Sequence, residues 1–153
     1  MNLKVSFSWI GLVIFALPML INIVYVMFPP VGKAGQTAAV THWVETVEQI
    51  SRVAYLFAVT LLVSRDRLSF QSGWLSLAAA FLVLYYAVWF RYFIGGREIS
   101  LLSRSFLFVP MPLAVFPVLY FLCAAIWLRN LPAAIIMVIF GEAHLTVSLQ
   151  SFR

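Results

Sequence analysis

The chain has 153 residues, of which 64% are hydrophobic and 10% are charged. A mean hydropathy of +1.03 places it outside the range of soluble domains and indicates a membrane protein. The net charge is +5, but the basic residues fall singly between apolar runs, which argues against a nucleic-acid-binding face. The single cysteine excludes an intrachain disulfide and a cysteine metal cluster.

Five stretches along the chain have the length of membrane helices, because about 20 helical residues at about 1.5 Å each cross a bilayer core of about 30 Å. We therefore predict an all-α fold, a polytopic membrane protein in which residues 1–153 form one integral membrane domain. The five transmembrane helices of this bundle are predicted at about residues 9–28, 41–64, 69–93, 109–128 and 131–149.

Prolines and the length of the first apolar run support these boundaries. The first run is longer than the roughly 7 to 15 apolar residues of a signal peptide, so we interpret it as a permanent span. Pro29 and Pro30 cannot continue a helix, and they predict a loop over residues 29–36. Pro132 suits the start of the fifth helix, which the short turn makes antiparallel to the fourth. Pro117 lies deep in the fourth helix and predicts a kink.

The second helix has the most unusual pattern in the chain, because polar residues lead directly into an apolar run. Its uncharged part, residues 53–64, is too short to cross a bilayer, so the first half must carry charges into the membrane or its interface. At about 100° per residue, its polar side chains fall within an arc of about 140°. These are His42, Glu45, Glu48, Gln49, Arg52 and Tyr55. Such a stripe should face the bundle interior, a partner or a water-filled cavity.

Depth estimates place two opposite charges at a similar level of the membrane. Glu142 lies about 16 Å from the start of the fifth helix, and Arg52 lies about 20 Å from the end of the second on the same side. A lone charge at this depth costs about 2.5 to 3.5 kcal/mol or more, so we predict a buried ion pair between them. Glu48 and Arg52, spaced i,i+4, compete for the same contact. Arg91 of the third helix is then expected to satisfy Glu45 or Glu48.

Polar residues concentrate in the half of the bundle opposite the N-terminus, which predicts a polar cavity in that half of the membrane. The residues expected to bind a ligand there are His42, Glu45, Glu48, Gln49, Arg52, Tyr55, Arg91, Glu142 and His144. We predict no metal and no cofactor, because Glu142 and His144 are about 200° apart on a helix and cannot easily share one ion. The sequence has no serine nucleophile motif.

Three functions are compatible with this pattern. The favoured one is binding or transporting a small or lipid-like molecule through the intramembrane polar site. The first alternative is a membrane-embedded enzyme that uses glutamate and histidine as acid and base on a lipophilic substrate. The second is an accessory subunit whose charges lock it to partner helices. The aromatic residues Tyr85, Trp89 and Tyr92 are compatible with an interfacial belt or with the wall of a pocket.

The expected partners are the lipid bilayer and a small or lipid-like ligand, with no nucleic acid. A second copy of the chain or another membrane subunit is a further expected partner. The basic residues are almost evenly divided between the two sides, with Lys33 and Arg153 on the side opposite the N-terminus. Arg65, Arg67 and Arg129 next to short loops favour a cytoplasmic N-terminus. We expect the protein in the cell (plasma) membrane.

Overall fold

A computed structural model describes residues 3–31 and 41–151 of the chain. The described residues are 73% helical, in six helices, three of which are candidate membrane-spanning helices. The predicted loop over residues 29–36 lies mostly outside the described ranges, as do Lys33 and Arg153.

The elements follow the predicted order, with two short strands and one short helix added. They are β1 (Leu3–Val5), α1 (Trp9–Met27), α2 (His42–Leu61), β2 (Leu62–Ser64), α3 (Gly73–Ile94), α4 (Ser100–Ser103), α5 (Pro112–Trp127) and α6 (Leu131–Ser151). The helices α1, α3 and α6 are long and apolar enough to cross a membrane, whereas α5 is apolar but shorter.

The structure differs from the predicted all-α fold at the end of the second helix. The chain leaves the helix after Leu61 and forms β2, which pairs antiparallel with β1 so that Lys4 stands opposite Val63. Backbone hydrogen bonds continue this contact from Ser6 to Leu61 and from Ser8 to Thr60. The pairing fixes the start of α1 beside the end of α2.

Local sequence explains where most of the helices begin. Ser8 precedes α1, and its hydroxyl oxygen accepts a hydrogen bond from the Gly11 backbone N–H at 3.0 Å. Ser72 caps α3 in the same way, through the Trp74 N–H at 3.3 Å. Pro112 occupies the first turn of α5. Backbone N–H groups in the first turn have no acceptor within the helix, so a proline there breaks no hydrogen bond. These caps place α3 and α5 about three to four residues later than predicted.

The five long helices alternate in direction between two ends of the bundle. The N-terminal end contains β1, β2, residues 65–72 and the turn between α5 and α6, where Arg129 contacts Asp66 at 3.3 Å. The opposite end, called the α4 end below, brings Thr41 beside Gln150 at 3.0 Å. The main packing contacts join α3 to α5, α5 to α6 and α6 to α2, while α1 packs mostly on α2.

Two glycines allow the closest approaches between helices. A Cβ atom at Gly11 would collide with the carbonyl oxygen of Val59 on α2, and one at Gly141 would lie 2.8 Å from a methyl group of Val118 on α5. Small residues at such crossings let apolar helices gain contact without a side chain between them. The outer surface of the bundle, by contrast, carries large apolar side chains. Ile23, Phe57 and Val83 are more than half exposed.

Pro18 lies inside α1, where no break was predicted. A proline at this position cannot donate to the carbonyl oxygen of Ile14 one turn earlier. The hydroxyl of Tyr120 on α5 donates to that oxygen at 2.9 Å. A neighbouring helix therefore satisfies the backbone group that the proline leaves unpaired. Pro117 lies inside α5 as predicted, and its effect on the helix axis stays a prediction.

Asn130 connects three helices at the N-terminal end. Its side chain is 1% exposed, and its amide donates to the carbonyl oxygens of Ala58 at 2.8 Å and Leu62 at 2.7 Å. Its side-chain oxygen accepts from the Ala133 N–H at 3.0 Å, which makes Asn130 the N-cap of α6. One residue thus joins the turn after α5 to the end of α2 and the start of α6.

Replacing Asn130 by alanine should therefore destabilise the protein strongly. We expect Asn130→Ala to lower the free energy of unfolding by about 2 to 4 kcal/mol, because it removes a helix cap and two donors to buried carbonyl groups. Unfolding in mixed micelles, followed by circular dichroism, measures this loss. Gln49→Ala is the control, since Gln49 is exposed, and equal stability of the two variants would contradict the assignment.

Candidate functional site

Glu48 is the one charged residue classed as buried in the described part of the chain, at 4% exposure. Its carboxylate contacts the Arg52 guanidinium one turn later on α2. The same carboxylate oxygen lies 3.0 Å from Nδ1 of His144 on α6. A buried carboxylate without partners would be costly in an apolar bundle. These contacts therefore explain how Glu48 is accommodated and fix α2 against α6.

Phe140 forms a platform for both partners of this carboxylate. The imidazole ring of His144 stacks on the Phe140 ring, with centroids 5.0 Å apart and 16° between the planes. The Arg52 guanidinium lies 5.7 Å from the centroid of the same ring, within the range of a cation–π contact. The positions of Arg52 and His144 are therefore set by a carboxylate and by an aromatic ring.

Beside this group lies a cavity of about 230 Å³, called the central cavity. Residues from all five long helices form its wall: Met19, Asn22, Arg52, Tyr85, Trp89, Leu113, Pro117, Phe121, Phe140 and His144. The wall is mostly aromatic and aliphatic with a few polar groups, which is the usual character of a ligand pocket. Glu48 lies behind this wall and reaches the cavity only through Arg52 and His144.

Two further cavities adjoin the central one along the bundle axis. The outer cavity, of about 200 Å³, shares Trp89, Leu113 and His144 with it, and is also lined by Tyr25, Leu102, Met111, Ala114 and Ser148. The inner cavity, of about 30 Å³, shares Met19, Arg52, Phe121 and Phe140, and is also lined by Phe15, Tyr55 and Met137. From Ser148 to Met137 the row extends for about 16 Å.

The polar stripe of α2 does not coincide with the buried face of the helix. The predicted orientation, in which the whole stripe lines the cavity, is therefore wrong. The buried side chains in the first part of α2 include Val44, Ser51 and Tyr55. At 100° per residue, the centre of that buried face lies about 80° from the centre of the polar arc. Glu48 and Tyr55, at the edge of the arc, therefore reach the interior. Arg52 lies near the centre of the arc, is half-buried, and reaches the cavity wall with its long side chain.

Three of the predicted binding residues on α2 point away from the cavities. His42, Glu45 and Gln49 are exposed. The His42 ring lies 3.3 Å from the hydroxyl of Thr46 on its own helix. They lie in the first two turns of α2, near the α4 end of the bundle.

Tyr55 has a packing contact as well as a place in the wall of the inner cavity. It is 1% exposed, and its hydroxyl donates to the carbonyl oxygen of Phe121 on α5 at 2.8 Å. This hydrogen bond ties α2 to α5 just below the central cavity. Tyr55 therefore stabilises the helix packing next to the central cavity.

The predicted ion pair between Arg52 and Glu142 is wrong. Arg52 contacts Glu48 instead, and no ion pair of Glu142 is present within residues 3–31 and 41–151. Glu142 is exposed on α6, whereas His144 faces the interior, as a spacing of about 200° requires. The number of residues between Glu142 and the helix end gives no information about the rotation of the helix about its axis.

Arg91 also lies outside the site. Its guanidinium donates to the carbonyl oxygens of Ser105 at 3.0 Å, Leu101 at 3.1 Å and Arg104 at 2.8 Å. It also lies 5.3 Å from the centroid of the Phe106 ring. Arg91 therefore holds the segment around α4 against α3, and the expected contact with Glu45 or Glu48 is not formed.

Several residues of the central cavity were missed from the sequence. Asn22 is a lone amide in an otherwise apolar helix, and this isolation was a usable signal because a buried amide needs a partner. The Tyr85 hydroxyl donates to the Asn22 side-chain oxygen at 2.8 Å. Tyr85, Trp89 and Tyr92 are all buried, at 4%, 6% and 0% exposure, so they form no exposed interfacial belt.

The site brings together a carboxylate, an imidazole and a guanidinium. Within the described ranges, no group of three or more histidine, cysteine, aspartate or glutamate side chains is gathered. A carboxylate on Nδ1 of His144 orients the ring and leaves Nε2 to form a further hydrogen bond. Arg52 adds a fixed positive charge and several N–H donors.

Comparisons of the chain with protein-family models, with curated proteins and with solved structures find no match. The protein is thus defined by its class, a mostly helical protein with three helices able to cross a membrane.

The contacts of Glu48 predict a large difference between two glutamates on one helix. We expect Glu48→Gln to lower the free energy of unfolding by about 2 kcal/mol, since it leaves a partly buried guanidinium without its counter-charge. The matched variant Glu45→Gln should change it by less than about 0.5 kcal/mol, because Glu45 is exposed. Unfolding in mixed micelles measures both, and a Glu48→Gln variant as stable as Glu45→Gln would refute the network.

The outward position of Glu142 predicts independence from Arg52. Glu142→Gln and Arg52→Gln should change the unfolding free energy additively, within about 0.5 kcal/mol, because residues without a shared contact rarely interact. Glu48→Gln with Arg52→Gln should deviate from additivity by more than this. A strong interaction energy between Glu142 and Arg52 in this double-mutant cycle would show that the two residues do form an ion pair.

Proposed function

We propose that the protein is a five-span integral membrane protein that binds a small or lipid-like molecule in the central cavity. Two steps of this proposal go beyond the three candidate spans. One is that α2 and α5 also cross the membrane. The other is that the cavity serves a ligand.

The membrane role of α2 is supported by its length and by the neutralisation of its charges. Its 20 residues extend for about 30 Å, the thickness of a bilayer core. Glu45, Glu48 and Arg52 make its composition too polar for a typical span, but Glu48 and Arg52 pair with each other. Glu45 lies in the first turn, where an interfacial charge is tolerated.

The membrane role of α5 is supported by its neighbours. Its 16 residues extend for only about 24 Å, yet it packs between α3 and α6, which are both candidate spans. Eleven residues of α5 are buried, so protein rather than lipid surrounds most of its length. A short, shielded helix fits a bundle centre, because it needs no lipid-facing apolar belt of its own.

One observation carries the functional proposal: the central cavity takes its wall from every long helix and combines four aromatic rings with Arg52 and His144. Charged and titratable groups inside a membrane bundle are costly, and they usually mark a ligand or ion pathway. The cavity lies toward the α4 end, in the half of the bundle opposite the N-terminus. The row of cavities is shorter than a bilayer core, which favours binding over passage through the bundle.

A second candidate function is that of an accessory subunit in a larger membrane assembly, and Glu142 favours it. This carboxylate shares the exposed face of α6 with Ile135, Val138 and Ile139. A carboxylate facing lipid at this depth would be expensive, and contact with a polar group on another membrane helix would remove that cost. This partner is a second copy of the chain or a different subunit.

For location, we propose the cell membrane with the N-terminus in the cytoplasm. Arg65, Arg67 and Arg129 lie at the N-terminal end next to short connections, where arginine has its strongest effect on topology. The α4 end and the mouth of the outer cavity would then face the opposite side of the membrane.

Filling the central cavity tests the functional proposal. The protein is purified in mild detergent, and small molecules that remain bound are extracted and identified by mass spectrometry. We expect one class of compound to be retained near one per protein by the natural chain and lost from Leu113→Trp, because the larger ring occupies the space between the outer and central cavities.

Leu20→Trp is the matched control, since Leu20 is 53% exposed on α1 and its replacement leaves the cavity open. It should retain the compound. Retention of nothing by the natural chain, or equal retention by Leu113→Trp and Leu20→Trp, would overturn the proposal. Matching circular dichroism spectra ensure that the folded variants are being compared.

A further inference from the structure

The polar groups that the central cavity leaves without strong partners are hydrogen-bond donors. The Asn22 side-chain oxygen already accepts from the Tyr85 hydroxyl, whereas the one contact of its amide nitrogen within residues 3–31 and 41–151 is with the Met19 sulfur at 3.9 Å. The Trp89 indole N–H lies near the Tyr85 hydroxyl, but it is buried and has no partner at hydrogen-bond geometry among the described residues. A donor without an acceptor in an apolar bundle is costly. A molecule that fills this cavity should therefore supply acceptors.

The charges around the cavity favour a neutral molecule over an ion. The guanidinium of Arg52 is balanced by the carboxylate of Glu48, so this pair has no net charge. An anion or a cation would add one uncompensated charge to the interior of the bundle, with a large desolvation cost. A neutral acceptor, such as a carbonyl oxygen, can accept from Arg52, Asn22 or Trp89 without that cost.

The walls favour a flat ring. Tyr85, Trp89, Phe121 and Phe140 line the cavity, and their rings offer both faces and edges for stacked or edge-on contacts. The volume of about 230 Å³ exceeds the roughly 150 Å³ of a cavity that holds benzene. It therefore accommodates one substituted six-membered ring.

The outer cavity offers a place for an apolar substituent on that ring. It begins where Trp89, Leu113 and His144 form a shared wall, and it continues about one helical turn toward the α4 end, past Tyr25 and Met111. Its lining is mainly apolar, and its volume is about 200 Å³. A chain attached to the ring can thus leave the central cavity in one direction, toward the membrane surface.

From these four features we infer that the ligand is a membrane-dissolved quinone. Its ring is neutral and flat and carries carbonyl acceptors on opposite edges, and its apolar chain would occupy the outer cavity. This inference rests on the proposed ligand-binding function and narrows it to one chemical class. It concerns binding alone and requires no electron transfer.

The test uses two probes with apolar chains of comparable length, decylubiquinone and decanoate. Each is titrated into the full chain in lipid nanodiscs, and binding is measured by calorimetry. Saturable binding of decylubiquinone is expected, with decanoate at least tenfold weaker. Trp89→Phe keeps the ring and removes the N–H donor, so it should weaken quinone binding by about tenfold. Asn22→Leu should have an effect of similar size.

Matched controls separate the site from partition into lipid. Trp43→Phe and Gln49→Leu make the same chemical changes at exposed positions of α2 and should leave the affinity unchanged. Because Asn22→Leu also removes a hydrogen bond from Tyr85, its thermal unfolding is recorded, and Trp89→Phe decides the result if Asn22→Leu is unfolded.

Three outcomes would overturn the inference. They are the absence of saturable quinone binding, binding that is equally strong in Trp89→Phe and the natural chain, and stronger binding of decanoate than of the quinone. If decanoate binds and Leu113→Trp abolishes it, the ligand class is wrong while the cavity keeps its binding role. If the natural chain also retains no compound on purification, the binding role itself fails.

Discussion

The buried carboxylate of Glu48 is the constraint on which the surrounding structure depends. In a bundle with few other polar side chains, it must have cationic or hydrogen-bonding partners within reach. One partner, Arg52, comes from the same helix. The other, His144, comes from α6, so the two helices have one rotation and one register in which the carboxylate is satisfied. Phe140 then holds both partners in place.

Polar contacts of the same kind connect α2 and α6 at three levels. Asn130 joins them at the N-terminal end, Glu48 and His144 join them in the bundle, and Thr41 and Gln150 join them at the α4 end. Dispersion between apolar helices has little directional preference, whereas hydrogen bonds require particular atoms to meet. Three such contacts along one helix pair define its register far better than the apolar packing alone.

The first helix depends on its neighbours in another way. Pro18 leaves the Ile14 carbonyl without a helical donor, and Tyr120 supplies one. Tyr86 on α3 donates to the carbonyl oxygen of Leu17 at 2.6 Å. Unpaired backbone groups are especially costly where no water is present. Tyrosines on α3 and α5 therefore hold α1 over the bundle, and α1 in turn brings Asn22 to the central cavity.

The sequence by itself determined the helical class, the order of the long helices and most of their ends. Apolar run length, prolines and caps act locally, so each can be interpreted without knowledge of the rest of the chain. It also singled out Glu48, Arg52 and His144, because charged groups in apolar runs are rare. The tertiary structure decided which way each helix faces. Rotation depends on where a neighbour permits close approach, as Gly11 does beside Val59 and Gly141 beside Val118. For that reason Glu142 faces outward and Asn22 faces inward, although both are isolated polar residues in apolar helices.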